Sequence, residues 1–101
     1  MRERDIEEYL VDRVKAMSGE VRKVKWVNRR GAPDRLVMLP ARQVHTGGGC
    51  FNARPATVWV ELKAPGTVPE DYQLREHARM RKLGQIVVVI DSLEGVEELL
   101  G

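Results

Sequence analysis

Two short stretches of the sequence contain the residue types of a metal-assisted hydrolytic site. In residues 58–63, Val and Leu alternate with Trp, Glu and Lys. This period of two predicts a β-strand on which Glu61 and Lys63 project from the same face. Residues 31–34 read Gly-Ala-Pro-Asp, so that Asp34 stands just before a second apolar run, 36–39. If the two runs pair as neighbouring strands, Asp34 comes close to Glu61 and Lys63.

Two carboxylates and one ammonium group at the edge of a sheet have a definite chemical use. Oxygen atoms such as those of Asp34 and Glu61 are the ligands that a hard divalent cation prefers. A cation held there activates water, which Lys63 can orient or whose developing charge it can stabilise. Asp34 alone is better interpreted as a turn residue after Pro33. Its combination with Glu61 and Lys63 favours the catalytic interpretation.

Four features of the sequence are shared with a known family: the segment 31–37 (Gly-Ala-Pro-Asp-Arg-Leu-Val), the segment 60–63 (Val-Glu-Leu-Lys), Gln73, and Leu83-Gly84. With these features the chain resembles the VRR-NUC branch of the PD-(D/E)xK nuclease superfamily. The resemblance runs over nearly the whole sequence, and stand-alone domains of this branch occur in phages and bacteria. It implies a single nuclease domain over residues 1–101.

The N-terminal helix contributes two candidate acids. The family pattern E-x-x-I-Q matches Glu3 to Glu7, with the family glutamate at Glu3 and Glu7 in place of the family glutamine. One turn separates the two acids, and Glu7 borders the apolar stripe of the helix. Either acid could complete a metal shell. The alternative for Glu3 is that a first-turn acid only complements the helix dipole.

The resemblance implies a particular chemistry at the candidate site. Mg²⁺, or Mn²⁺ in vitro, is expected to be held by Asp34, Glu61 and the backbone carbonyl of Leu62. Gln73 is expected near the metal, where it positions the water or Lys63. The implied reaction is the hydrolysis of phosphodiester bonds in DNA. Stand-alone members of the family resemble Holliday-junction resolvases and act as dimers, which implies a homodimer acting on branched DNA.

The hydrophobic pattern predicts the elements that must position these residues. Helices are expected over about 2–17 and 69–83, with a short third helix after residue 92, and strands over 21–27, 36–39, 57–63 and 85–90. This order, αβββαβα, predicts an α/β restriction-endonuclease-like fold with a mixed sheet flanked by helices. The unbroken apolar run 86–90 predicts a strand covered on both faces. Residues 40–56 are predicted to form a long loop.

Composition excludes several classes of protein. The 101 residues suit one domain with a modest core, and 43% hydrophobic content argues against disorder. No apolar run is long enough to span a bilayer and the N-terminus has no apolar signal segment, so we expect no membrane association and a cytoplasmic location. The resemblance implies that the cell is bacterial or phage-infected. The single cysteine, Cys50, cannot form an internal disulfide.

The positive charge of the sequence is concentrated in its middle part. The net charge is only +2, but residues 22–54 contain eight lysines and arginines and a single acid, Asp34. A basic surface around one acidic residue suits a phosphate-facing surface with a metal ligand. The candidate phosphate contacts are Lys25, Arg29, Arg30 and Arg35. The alternative is that these residues form an ordinary solvated face.

Two functions of different classes follow. The first is a Mg²⁺-dependent DNA endonuclease that prefers branched DNA. The second is a catalytically inactive module of a phage or mobile element that binds DNA or another protein. Metal-dependent cleavage distinguishes the two.

Overall fold

Three helices and six strands form the protein. The computed structural model describes the backbone of residues 1–101 and every side chain except that of Thr46. In chain order the elements are α1 (Glu3–Ala16), β1 (Glu20–Lys23), β2 (Arg35–Leu39), β3 (Arg42–Thr46), β4 (Gly49–Ala53), β5 (Ala56–Leu62), α2 (Asp71–Lys82), β6 (Ile86–Ile90) and α3 (Leu93–Leu100).

The core lies between the sheet and the helices α1 and α3. On α1, Ile6, Leu10 and Val14 recur every four residues and are completely buried. They pack in one cluster with apolar side chains of the sheet and of α3, namely Val37, Leu39, Val58, Val60, Leu62, Ile90, Val96 and Leu100. Since an amphipathic helix stays folded chiefly through such burial, this stripe explains why residues 3–16 are helical.

The main sheet has the strand order β1-β2-β5-β6. β1 pairs antiparallel with β2, and β2 pairs antiparallel with β5. The chain then crosses through α2 and returns as β6, which is parallel to β5. The mixed α/β fold predicted from the sequence is therefore confirmed, including the antiparallel order of the first three strands of this sheet.

The two faces of β5 have different surroundings. Val58, Val60 and Leu62 point into the core, and the alternate residues point to the opposite face. Helix α2 covers that second face with its buried side chains Glu76, His77 and Met80. Glu61 and Lys63 therefore lie between the sheet and α2, away from the main core.

Residues 40–56 differ from the prediction. They contain a hairpin, β3–β4, in which Val44 pairs with Phe51 and His45 with Cys50. The two strands form a separate two-stranded sheet. The expected loop is thus wrong; Val44 is buried while Phe51 opposite it is exposed, so the segment lacks the run of alternating apolar residues that predicts a strand.

Two strand predictions also need correction. β1 ends at Lys23 instead of Val27 because the chain leaves its extended path, and Asn28 takes a left-handed backbone conformation with φ 59°. β6 is an edge strand of its sheet, and Ile86 and Val89 remain 49% and 36% exposed. Val87 and Ile90, which point to opposite faces of the sheet, are nevertheless buried. The predicted coverage of both faces is therefore correct only in part, because it leaves out Ile86 and Val89.

In the described part of the chain, no helix has the length and apolar character needed to cross a membrane.

A cluster of three polar side chains joins α1 to α3. Arg13 donates from Nε and a terminal nitrogen to the two carboxylate oxygens of Glu97, at 2.7 and 2.9 Å, and the Tyr9 hydroxyl also donates to Glu97. The hydrogen bonds from Arg13 first, and then that from Tyr9, lower the pKa of Glu97 from an ordinary 4.5 to about 2. The two helices that cover the core are therefore tied by a charge-assisted, bidentate pair.

We expect Glu97→Gln to lower the melting temperature near neutral pH, because Arg13 and Tyr9 lose their charged acceptor. The folded-state pKa, about 2, lies below the ordinary 4.5, so the contribution of the carboxylate is complete above 4.5 and is lost as the pH falls towards 2. The difference in melting temperature between wild type and Glu97→Gln therefore shrinks across this window. Thermal unfolding followed by circular dichroism as a function of pH measures it.

The matched control for this prediction is Glu98→Gln, which neutralises an exposed carboxylate on the same helix. It should leave the melting temperature nearly unchanged throughout. A difference for Glu97→Gln that stays constant down to the acid end of the window would show that the charge of Glu97 is not what ties α3 to α1.

Candidate active site

The turn before β2 holds Asp34 in place through its backbone. Gly31 has a φ of +88°, which suits glycine, and a Cβ atom there would come within 2.9 Å of the Tyr72 carbonyl oxygen of α2. Pro33 is fully buried, and its carbonyl accepts a hydrogen bond of 2.9 Å from the Trp26 indole nitrogen. The Asp34 carbonyl accepts from the backbone nitrogen of Val24 at 2.9 Å. Asp34 therefore enters β2 at a fixed angle.

The strand register brings Asp34 beside Glu61. In the β2–β5 pair, Arg35 lies opposite Val60, and the next position outward sets Asp34 opposite Glu61. Directly opposed residues of an antiparallel pair share a face of the sheet. The predicted proximity of Asp34 and Glu61 thus follows from the pairing of the two strands, as the sequence pattern required.

Glu61 lies in an unusual electrostatic environment. It is 9% exposed, and among the described residues its Oε1 atom is buried without a hydrogen-bond partner. Burial raises its pKa from 4.5 to about 7; Lys63 opposes this rise, and the negative charges of Asp34 and Glu3 add to it. The charges of the three predicted acids Glu61, Asp34 and Glu3 therefore interact.

Lys63 is held by the N-terminus of α2. Its Nζ donates to Oε1 of Gln73 at 3.0 Å. The same oxygen accepts from the backbone nitrogen of Glu70 at 2.8 Å, as part of the capping box that begins α2. The start of the helix and the position of the lysine are thus set by one amide group. Gln73 is thus in contact with Lys63, whereas its expected place near a metal stays a prediction.

The two acids of α1 occupy different positions. Glu7 is paired with Arg35. Arg35 in turn lies 3.0 Å from the Asp34 carboxylate and is only 11% exposed. Glu7 therefore reaches the site through Arg35, whereas Glu3 is exposed and acts on Glu61 through its charge.

The candidate phosphate contacts are arranged along the edge of α2. Arg29 lies 3.5 Å from the buried carboxylate of Glu76, and the Arg30 guanidinium stacks over the Tyr72 ring at 3.9 Å. Lys25 is exposed. Arg35, by contrast, is directed inward to Asp34 and Glu7, so its role as a contact to substrate stays a prediction that competes with a positioning role.

Two residues of the site were not singled out by the sequence analysis. Glu76 is 5% exposed and binds both Arg29 and Arg79, the latter at 2.9 Å. His77 is completely buried, with Nε2 3.4 Å from Oε1 of Glu61. Both stand one helical turn after Gln73, so the helical period could have placed them on the same side of α2 as Gln73. Nothing in the local sequence indicates which side chains lie across from them.

The acidic side chains at this site do not by themselves complete the coordination of a metal ion. Among the side chains that the structure describes, no group of three or more His, Cys, Asp and Glu residues is arranged to hold a metal ion. The groups that can contribute ligands are Asp34 and Glu61, with Glu3 at the margin. Any cation here needs further oxygen donors from backbone, water or substrate.

Comparison with known proteins agrees with this geometry. No family model matches the chain. It is 44% identical over 92 residues to the protein "Putative nuclease p44" of Acyrthosiphon pisum secondary endosymbiont phage 1, covering 91% of this chain and 85% of that protein. A solved structure described as "VRR_NUC domain" superimposes with a TM-score of 0.76 at 37% identity, covering 97% of this chain and 92% of the other. At these levels of identity and coverage, the chain belongs to the VRR-NUC family of nucleases.

Proposed function

We propose that this protein is a Mg²⁺-dependent DNA endonuclease that cuts branched DNA. The observation that carries the proposal is the meeting of Asp34, Glu61 and Lys63 on one sheet face, with the ammonium group held by Gln73. Membership of a nuclease family supports phosphodiester hydrolysis as the reaction. The cytoplasm of a bacterial or phage-infected cell is the proposed location, because that is where such a substrate is found.

The residues at the site fit a hard divalent cation. Glu61 has a buried oxygen without a hydrogen-bond partner, and its pKa is raised first by burial and then by the nearby acids, against the opposing charges of Lys63 and Arg35. Mg²⁺ keeps several waters and binds proteins through one or two carboxylates, so the lack of a third acidic ligand suits it. The proposed ligands are Asp34, Glu61 and the backbone carbonyl of Leu62, with Mn²⁺ as a substitute.

The chain's own groups divide the catalytic work. When bound, Mg²⁺ supplies Lewis acidity that lowers the pKa of water and offsets the charge of the scissile phosphate. Lys63 orients the attacking water or stabilises the charge that develops on the phosphate. Gln73 keeps the Lys63 ammonium group in place, and Arg35 supports the carboxylate of Asp34. Hydrolysis breaks one P–O bond and adds water across it.

The DNA path runs along α2 and the turn before β2. Arg29 and Arg30 lie against α2, which presents Arg75, Arg79 and Lys82 on its exposed side. Glu76 pairs with both Arg29 and Arg79 and so fixes the spacing of two guanidinium groups. Guanidinium forks of this kind suit phosphate oxygens. Lys25 extends the basic surface beside Trp26.

A symmetric homodimer is the proposed working form. Two copies related by a two-fold axis present two sites to two strands of a four-way junction. The alternative function is an inactive DNA-binding or interaction module, which needs no cation. Cleavage assays with defined metals decide between the two.

Asp34→Asn and Glu61→Gln each remove a negative charge with little change of shape. We expect either change to reduce cleavage of branched DNA in Mg²⁺ by more than about 100-fold, since the loss of even an outer partner of a ligand costs roughly 10- to 100-fold. In EDTA, Glu61→Gln should unfold at the wild-type temperature or above it, because burial already disfavours the Glu61 carboxylate. Glu94→Gln, an exposed acid on α3, is the control. Wild-type rates in folded variants would place the catalytic site elsewhere.

Glu7→Ala tests whether the first helix reaches the site through Arg35. We expect a lower cleavage rate and a loss of about 1–3 kcal/mol in the free energy of unfolding, because a nearly buried guanidinium loses an acceptor. The control is Glu8→Ala, which removes an exposed acid whose ion pair with Arg4, at 4.0 Å, lies on the surface. Glu3→Ala should change the rate or the metal dependence without changing stability. If neither Glu3→Ala nor Glu7→Ala alters turnover, both acids are ordinary surface residues.

The preferred DNA structure is tested with a panel of four-way junctions, flaps, single strands and linear duplex, each in Mg²⁺, Mn²⁺ and EDTA. We expect paired, symmetric cuts in the junction and a steep fall of binding with salt, because contacts to phosphates release counterions. The double variant Arg29→Gln/Arg30→Gln should reduce that salt dependence, whereas Arg22→Gln, whose guanidinium is already paired with Glu20 on β1, should not. Cutting of linear duplex at one short sequence would refute recognition by shape. No cutting of any substrate would favour the inactive module.

A further inference from the structure

His77 is the buried titratable group that the proposed chemistry does not yet use. It lies on α2, one turn after Gln73, and its side chain is completely inaccessible to solvent. Its Nε2 atom faces Oε1 of Glu61 at 3.4 Å. Among the described residues, both ring nitrogens of His77 lack a hydrogen-bond partner, and so does Oε1 of Glu61. Two polar groups without partners therefore lie side by side, the imidazole of His77 and the carboxylate of the candidate cation ligand Glu61.

An imidazole is a costly way to fill space in this position. A buried polar atom without a partner costs about 1–3 kcal/mol, and an aliphatic side chain would fill a similar volume at no such cost. The arrangement becomes favourable only if one nitrogen finds an acceptor. Oε1 of Glu61, 3.4 Å from Nε2, is an acceptor within reach of a small adjustment.

Burial favours the neutral form of an imidazole ring. Burial lowers the pKa of His77, the positive charges of Arg81 and Lys63 lower it further, and Glu76 opposes them. A neutral imidazole carries one N–H, on either Nδ1 or Nε2. With the proton on Nδ1, a donor is buried without an acceptor and two lone pairs meet between Nε2 and Glu61. With the proton on Nε2, only a lone pair on Nδ1 is left without a partner.

We propose that His77 is a positioning residue whose Nε2–H donates to Oε1 of the ionised Glu61 and thereby leaves the second oxygen of that carboxylate for the divalent cation. The part that concerns the cation rests on the proposed function, whereas the hydrogen bond does not. The present distance, 3.4 Å, exceeds the 2.7–3.2 Å usual for N–H···O bonds by a few tenths of an ångström. Hydrogen bonds at such sites are often long without ligand and shorten when it binds.

The first test reads the tautomer directly by ¹⁵N-resolved NMR of the wild-type protein. The spectrum is recorded in EDTA at mildly alkaline pH, so that the carboxylate is ionised without any metal. His45, the second histidine of the chain and an exposed one, is the internal reference. We expect the proton of His77 on Nε2. A proton on Nδ1 overturns the proposal, and this test needs no variant that might fail to fold.

The second test compares three variants that a purely structural role would not separate. The amide nitrogen of glutamine stands as many bonds from Cα as Nε2 of histidine, whereas that of asparagine matches Nδ1. His77→Gln can therefore still donate to Glu61, and His77→Asn and His77→Leu cannot. Calorimetric titration with Mg²⁺ measures the result, after thermal unfolding in EDTA has verified that each variant is folded.

We expect His77→Gln to bind Mg²⁺ within a few-fold of wild type, and His77→Asn and His77→Leu to bind it about 10- to 100-fold more weakly, the usual loss for an outer partner of a ligand. Equal affinity in all folded variants, or equal weakening in all three, overturns the proposal. If the wild-type protein itself binds no Mg²⁺, the proposed function fails instead, and the NMR test alone then decides whether His77 holds Glu61.

Discussion

The antiparallel pairing of β2 with β5 is the constraint on which the rest of the site depends. Because side chains alternate along a strand, a slip of one residue in this pair would turn Asp34 to the face opposite Glu61. The core prevents such a slip, since Val37 opposite Val58 must point towards α1 and α3. Burial of apolar residues on one face of the sheet thus fixes the position of the acidic residues on the other face. Stability and function are coupled through one strand register.

Helix α2 combines three roles that belong to different levels of the structure. As the crossover between β5 and β6, it makes the parallel pair possible. At its N-terminus, Gln73 both caps the helix and holds Lys63. On its buried side, Glu76 and His77 contact Arg29 and Glu61. A change in the angle of this helix would therefore disturb both the charges around Glu61 and Lys63 and the basic surface that includes Arg29.

Glu61 illustrates how a functional site departs from the rules that favour stability. A carboxylate with little solvent access, an unpartnered oxygen and acidic neighbours costs folding free energy. Glu97 is the contrast, because Arg13 and Tyr9 surround it with donors and lower its pKa. The same type of residue is thus stabilised where it joins two helices and left short of partners at the site where we propose that a cation binds. Local inconsistency of this kind is typical of functional sites.

The sequence by itself determined the parts of the protein that are encoded over a few neighbouring residues. The stripe on α1 and the alternation in β5 predicted both elements, and the Gly-Ala-Pro-Asp turn with Glu-x-Lys predicted the centre of the site. The mixed sheet also followed, because one helix between two strands permits a parallel return. These features depend on local period and backbone chemistry, which the order of residues states directly.

Only the tertiary structure decided which side chains meet across elements. The hairpin β3–β4 lacked the alternating apolar pattern of a strand, and the edge position of β6 depended on the strand order of the whole sheet. The inward orientation of Arg35 towards Glu7 and Asp34, and that of His77 towards Glu61, were likewise not visible in the sequence. A helical or strand period gives the face on which a residue lies, but its partner is set by the packing of elements that are distant in the chain.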